Sequence, residues 1–174
     1  MVGTASAAWE VAAAVPDPEL PMLTLADLGI LAEVSEQDGT VTAWITPTYS
    51  GCPAVAEMAA DVDSRLRAAG YGEVAVRLRL DPPWSTDRIS AEGLRKLAEA
   101  GIAPPGPAGA HPGQSTGQST GPTALALGPT RRAVTCPQCG STDTEELSRF
   151  GSTACKSLWR CRSCREPFDR IKEI

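Results

Sequence analysis

Residues 73–80 read EVAVRLRL, and their alternation decides the fold of the first hundred positions. Val74, Val76, Leu78 and Leu80 fall on one side of an extended chain, and Ala75, Arg77 and Arg79 on the other, the two-residue period of a strand. One apolar and one charged face predict a sheet covered by helices on one side only. The preceding PAVAEMAADVDSRLRAAG (53–70) supplies such a cover, with Val55, Met58, Ala59, Val62, Leu66 and Ala69 on one helical stripe and Gly70 as a stop. Further upstream, ILAEVS (30–35) and TVTAWIT (40–46) flank Gln-Asp-Gly, a hairpin signal because Asp-Gly accepts the positive φ of a tight turn. SAAWEVAAA (6–14) predicts a helix ended by Pro16, residues 24–28 a helical turn, and ISAEGLRKLAEAG (89–101) a last helix with Ser90 as its N-cap. The expected class is α+β: a small sheet with helices on one face, followed by a β-rich C-terminal module.

Composition separates that module from the body. Aromatic residues make up 5% of the 174, too few for one large core over the full length. Residues 1–130 carry seven basic and fifteen acidic side chains, a net charge of −8, whereas residues 131–174 carry nine against six, a net charge of +3. An acidic body is a poor ligand for phosphate backbones, so nucleic acid is not an expected partner. Arg131, Arg132, Arg149, Arg160, Arg162 and Arg165 are the residues that a nucleic-acid-binding tail would use, or else a solvated face. No run approaches the roughly 18 apolar residues of a membrane span, and the first ten residues lack a basic segment followed by a hydrophobic one. A soluble, cytoplasmic protein without a membrane partner is expected. Residues 102–130 contain GQSTGQST and read as a flexible linker with a root-mean-square span of about 30 Å.

The tail contains Cys136-x2-Cys139 and Cys161-x2-Cys164 with 21 residues between the pairs. A two-residue gap turns the chain so that both sulfurs face one point, and two such knuckles close a tetrahedral site. The few apolar side chains of a module of this size cannot fold it alone, so a metal ion is expected to supply much of its stability. Structural Zn2+ on Cys136, Cys139, Cys161 and Cys164 is the expected cofactor. A rubredoxin-like iron site would use the same four thiolates. Cys155, the fifth sulfur of the tail, is either a strand residue packed near that site or a functional thiol.

Three features of the body could carry chemistry. Asp17 and Glu19 lie in the proline-stiffened PDPELP, where acids are either solvated or functional. Cys52, in TPTYSGCP (46–53), stands before a proline suited to the first turn of a helix. At or beside the N-cap, the helix dipole would favour its thiolate; otherwise it is a small buried cysteine. Thr46, Thr48, Tyr49 and Ser50 share that loop and could orient a ligand of Cys52. The body has no histidine, His111 being in the linker, which removes a Cys–His nucleophile pair and a carboxylate–histidine di-iron site.

DPELPMLTLADLGIL followed by TPTYSGCPAV resembles the small domain shared by the SufT-like and MIP-type iron-sulfur assembly factors. Joined to CPQCGSTDTEELSRFGSTACKSLWRCRSCREPF, it is similar to the PaaD family, accessory components of bacterial phenylacetyl-CoA epoxidase systems. The resemblance implies an assembly domain over residues 1–101, a linker over 102–130 and a zinc ribbon over 131–174. It also implies a functional surface made of Asp17, Glu19 and Cys52, to which the loop hydroxyl of Thr48 is added as a candidate, and a transient iron or iron-sulfur centre at Cys52. The implied role is a non-catalytic one in phenylacetate breakdown, serving a metal centre of the oxygenase or reductase component. The implied partners are those two components and the iron-sulfur assembly machinery. An alternative is a small redox protein whose four-thiolate site holds iron and passes electrons in the same complex.

Overall fold

The computed structural model describes residues 6–49, 51–107 and 134–174. Ser50, His111, Arg131, Arg132 and residues 108–130 of the expected linker lie outside the described residues. The body runs α1 (Ala7–Ala13), β1 (Leu31–Gln37), β2 (Thr40–Ile45), α2 (Val55–Ala68), β3 (Glu73–Leu78), a 3-10 turn (Thr86–Arg88) and α3 (Ala91–Glu99). The C-terminal module is β4 (Thr144–Ser148), β5 (Lys156–Cys161) and β6 (Pro167–Ile171). The class is α+β, as the alternation of EVAVRLRL and its neighbours implies.

In the body sheet, β2 lies between β1, its antiparallel partner, and β3, its parallel one. Gln37 pairs with Thr40 across a two-residue turn in which Asp38 and Gly39 both have positive φ (51° and 79°), the geometry that Asp-Gly favours. Met58, Val62 and Leu66 of α2 are fully buried against Val41, Ala43 and Ile45 in one core, and Ala8 and Ala12 of α1 join them. Ala69, expected on the same stripe, is exposed at the helix end.

The opening strand departs from its pattern in its second half. Val74 and Val76 pack against the core, but Leu78 and Leu80 are 50% and 64% exposed. β3 is an edge strand that ends at Leu78. On the open face, Arg77 and Arg79 lie over the Trp44 ring at 5.7 and 5.1 Å, and Arg79 reaches Glu33 at 2.6 Å. The polar side of the alternation is thus solvent-facing as expected.

Residues 15–31 are closed by their own backbone. Leu25 N–H donates to Val15 O at 2.8 Å, and Asp17 N–H to Leu23 O at 2.9 Å. α3 is fastened to this segment. Ser90 caps α3 through Gly93 N–H (2.9 Å), its own N–H donates to Asp27 O (2.8 Å), and Lys96 meets the Asp27 carboxylate at 2.7 Å. A Cβ on Gly93 would come within 2.8 Å of Asp27 O, so the helix start approaches too closely for a side chain.

The ribbon is a three-stranded antiparallel sheet with β5 in the middle. It is joined to the body through residues assigned above to the linker. Ile102 is buried in the body core, while Ala103 packs with Val134, Trp159 and Phe168 of the ribbon. Ala103 N–H donates to Asp169 O (2.8 Å), and Ile171 N–H returns a bond to Ala103 O (3.1 Å). Ile171 inserts its side chain into the body core, 4% exposed. Thr86 N–H donates to Ile174 O at 3.2 Å, adding a second tie.

The exchange of Ile171 for alanine is expected to cost about 2–5 kcal/mol, as for other buried large-to-small changes. It should also separate one denaturation transition into two, body and ribbon. A single unchanged transition in urea would show that the two units are not coupled through this residue.

Candidate functional site

The four knuckle sulfurs come together as their spacing predicts. Cys136 Sγ lies 3.8 Å from Cys164 Sγ, Cys139 Sγ lies 3.6 Å from Cys161 Sγ, and all four are within 4.8 Å of one another. Four thiolates at about 2.3 Å from a tetrahedral ion stand about 3.8 Å apart, so the donors fit such an ion with little adjustment. Each knuckle turns through a residue of positive φ four positions after its first cysteine, Gly140 (73°) and Arg165 (68°). Gly140 N–H closes the first on Cys136 O at 2.9 Å, and Cys161 N–H donates to Glu166 O at 3.0 Å in the second.

Without an ion the sulfurs share protons unequally. The Cys164 backbone N–H, above all, lowers the Cys161 thiol to about 6. A backbone hydrogen bond from Glu166 works to lower Cys164, but burial and its sulfur neighbours outweigh it and push that thiol up. A cation removes this competition by replacing the protons. Two arginines suggested above for a nucleic-acid surface are already engaged, since Arg160 and Arg162 both grip the Glu145 carboxylate. The hydrogen bonds of Arg162 and then Arg160 hold Glu145 below the usual carboxylate range.

The second constellation is built on the closed segment after α1. Asp17 is 6% exposed, and its Oδ1 accepts from Glu19 N–H (2.9 Å) and Leu20 N–H (2.8 Å). Burial raises the Asp17 carboxyl above its ordinary value of 3.8, against those two hydrogen bonds and the charge of Lys156. Glu57, at the start of α2, raises it further. The Asx turn also fixes the backbone of Glu19, whose Oε2 accepts from Cys155 Sγ of the ribbon at 3.9 Å.

Cys52 lies half-buried at the edge of the body core, its N–H donating to Tyr49 O at 3.1 Å. Helix α2 starts later than Pro53 suggests: Ala54 is the N-cap and Val55 the first helical residue. Cys52 is therefore two residues ahead of the cap, not at or beside it, and it shares the Tyr49 turn instead. Burial raises the Tyr49 phenol above 10.0, and the charges of Cys52, Glu19 and Cys155 add to the shift. One phenol thus lies within electrostatic reach of the loop thiol, the acidic segment and the ribbon thiol. Thr48 is half-buried on the same loop, and the fully buried Thr46 hydroxyl has no hydrogen-bond partner among the described residues.

Glu19 thus meets Cys155, and Asp17 feels the charge of Lys156, so the residues that sequence reasoning left out of this acidic segment are Cys155 and Lys156. Their only signal was that Cys155 is a sulfur to spare. Its approach to Glu19 spans 136 positions and depends on the docking of β6.

A small α+β domain whose acidic segment meets a cysteine of a four-cysteine ribbon defines a two-module protein. Residues 7–78 match the family described as iron-sulfur cluster assembly protein, and residues 120–172 match the PaaD zinc beta ribbon domain. The chain belongs to the PaaD family: it is 40% identical over 166 residues to the putative D component of the 1,2-phenylacetyl-CoA epoxidase of Escherichia coli, covering 95% of this chain and 91% of that protein. It is also 34% identical over 85 residues to an Fe-S protein maturation auxiliary factor of Porphyromonas gingivalis, covering 48% of this chain and 80% of the relative. Among solved structures, a domain of unknown function from Bacillus anthracis is 28% identical with a TM-score of 0.48, covering 52% of this chain and 87% of its own. A conserved hypothetical protein of Thermotoga maritima is 28% identical with a TM-score of 0.45, covering 55% and 94%.

Two outcomes are expected at these sites. Asp17→Asn keeps the acceptor for both N–H groups and removes a buried charge. Because the folded-state carboxyl is raised, its favourable contribution is complete below about 3.8 and is lost as pH rises through the folded value. The variant should therefore denature at higher urea than wild type at pH 7, and the difference should vanish in acid below 3.8. For the ribbon, chelation of its metal should abolish amide protection in β4–β6, since metal binding by structural four-ligand sites is worth roughly 10–16 kcal/mol.

Proposed function

We propose that the protein is a non-catalytic accessory factor of a phenylacetyl-CoA epoxidase, assisting assembly or upkeep of an iron or iron-sulfur centre in the oxygenase or reductase. The observation that carries this reading is the identity to an epoxidase D component over both modules. In this reading Cys52 is the transient soft ligand for iron, and the Glu19 carboxylate, with its backbone fixed by Asp17, supplies a harder donor from the acidic segment. Iron is cargo in this scheme, taken up and passed on.

Zn2+ is the ion proposed for Cys136, Cys139, Cys161 and Cys164, in a structural role. The sulfur spacings suit a tetrahedral ion, and the matched ribbon family is described as a zinc domain. The ribbon carries the docking surface for the epoxidase components, and the work takes place in the cytoplasm.

The test is Cys52→Ser in cells that carry the epoxidase components. Reductase cluster content and epoxidation should fall together, by roughly tenfold or more if Cys52 is a direct ligand, while the level of the variant chain itself stays unchanged. Full cluster content and full epoxidation in that variant would refute the role given to Cys52.

A further inference from the structure

We propose that the open edge of the body sheet pairs with a second copy of this chain. β3 of one copy lies antiparallel to β3 of the other about a twofold axis at Val76, and the two three-stranded sheets continue into one.

β3 is hydrogen-bonded to β2 on one side and ends the sheet on the other. The register shows which backbone groups face the open side. Leu78 is opposite Ile45, and Arg79 N–H donates to Ile45 O at 2.8 Å. In a parallel ladder this turns the N–H and C=O of Glu73, Ala75, Arg77 and Arg79 towards β2 and those of Val74, Val76 and Leu78 outwards. Arg67 reports the same direction, since its guanidinium donates to Gly72 O at 2.9 Å and to Val74 O at 3.3 Å. That exposed side chain blunts the start of the edge, whereas the outward groups of Val76 and Leu78 have no such cover among the described residues. An edge left bare in this way is a template for another strand.

The sequence of β3 is complementary to itself in one antiparallel register. With Val76 opposite Val76, Val74 of each copy faces Leu78 of the other, and Glu73 of each faces Arg79 of the other. The outward-facing residues then meet one another as hydrogen-bonded pairs. Leu78, half exposed in the single chain, gains an apolar neighbour on the face that carries Val74 and Val76. On the opposite face Glu73, exposed and without an ion pair among the described residues, comes against Arg79, which lies over the Trp44 ring at 5.1 Å. Arg79 already reaches Glu33 at 2.6 Å, and Arg77 brings a further cation to that face. Glu33 and Glu73 therefore balance Arg77 and Arg79 in each copy. Other registers do worse. A shift of one residue sets outward-facing backbone groups against inward-facing ones. A shift of two sets Arg77 against Arg77 in one direction and leaves Leu78 opposite Gly72 in the other. A foreign strand would have to reproduce this alternation of charge and apolar side chain, whereas a second copy supplies it by symmetry.

The contact is a single strand pair, smaller than a standard stable interface, so the association is reversible and depends on concentration. The experiment is sedimentation equilibrium of the full chain, its ribbon loaded with metal, from micromolar to millimolar concentration. A monomer–dimer equilibrium is expected. Glu73→Arg and Arg79→Glu should each weaken it by about tenfold or more, because two attractive cross-strand pairs become repulsive. An equal mixture of the two variants should dimerise as the wild type does, since the mixed pair restores both opposite-charge contacts, and this recovery also shows that both variants are folded. In unaltered protein the amides of Val74, Val76 and Leu78 should exchange more slowly as concentration rises, a check that needs no variant. A chain that stays monomeric over the whole range, or a dimer that neither variant weakens, would overturn the pairing. Protection of those amides only after an epoxidase component is added would overturn it as well, assigning the edge to a foreign strand.

Discussion

The pairing of Ala103 with β6, and the burial of Ile171 that it enforces, is the contact on which the arrangement of the molecule depends. It consists of two backbone hydrogen bonds and one aliphatic side chain in the body core. Its consequences reach further than its size. The strand that carries Ile171 continues into Lys172, Lys172 holds Cys155, and Cys155 meets Glu19. Two modules with separate cores are thereby given one shared surface. Arg170, 8% exposed between them, stacks over Trp159 and pairs with Glu173, whose Oε1 also accepts Gly106 N–H. Burial alone would raise the Glu173 carboxyl, but Arg170 holds it below its usual range.

The body places a carboxylate where the fold gains nothing from its charge. Asp17 serves the chain as a hydrogen-bond acceptor closing an Asx turn, a task that asparagine could perform. Its ionised form is opposed by burial and by Glu57, and Lys156 offsets that only in part. A buried charge that the fold tolerates at a cost fits a group retained for chemistry. Asp27 makes the contrast. It too is buried, yet Lys96 and Thr24 hold it below its ordinary value, and its task is to fasten α3 to the loop before β1.

The two sulfur sites differ in the same sense. In the ribbon, four thiols converge at tetrahedral spacing, and the apolar residues around them, chiefly Val134, Trp159 and Phe168, are too few to hold three strands without an ion. Between the modules, Cys155 and Glu19 come from separate elements and approach only to 3.9 Å.

Much of this was legible in the primary structure because it is local. Alternation at 73–80, the apolar stripe of residues 55–66, the Asp-Gly turn, the Ser90 cap and the CxxC pairs each express a short-range rule, and the elements follow them. Where the pattern misleads, at Leu78 and Leu80, the reason is the position of β3 at the sheet edge, which alternation cannot report. The start of α2 beyond Pro53 is likewise a matter of how the loop packs, not of propensity. What the sequence determined by itself was the local elements, the CxxC pairs and a list of candidate residues. Which of them face one another was decided only by the tertiary structure, because Glu19 and Cys155 meet through a docking contact between Ala103 and β6 whose partners are separated by more than sixty positions and share no local signal.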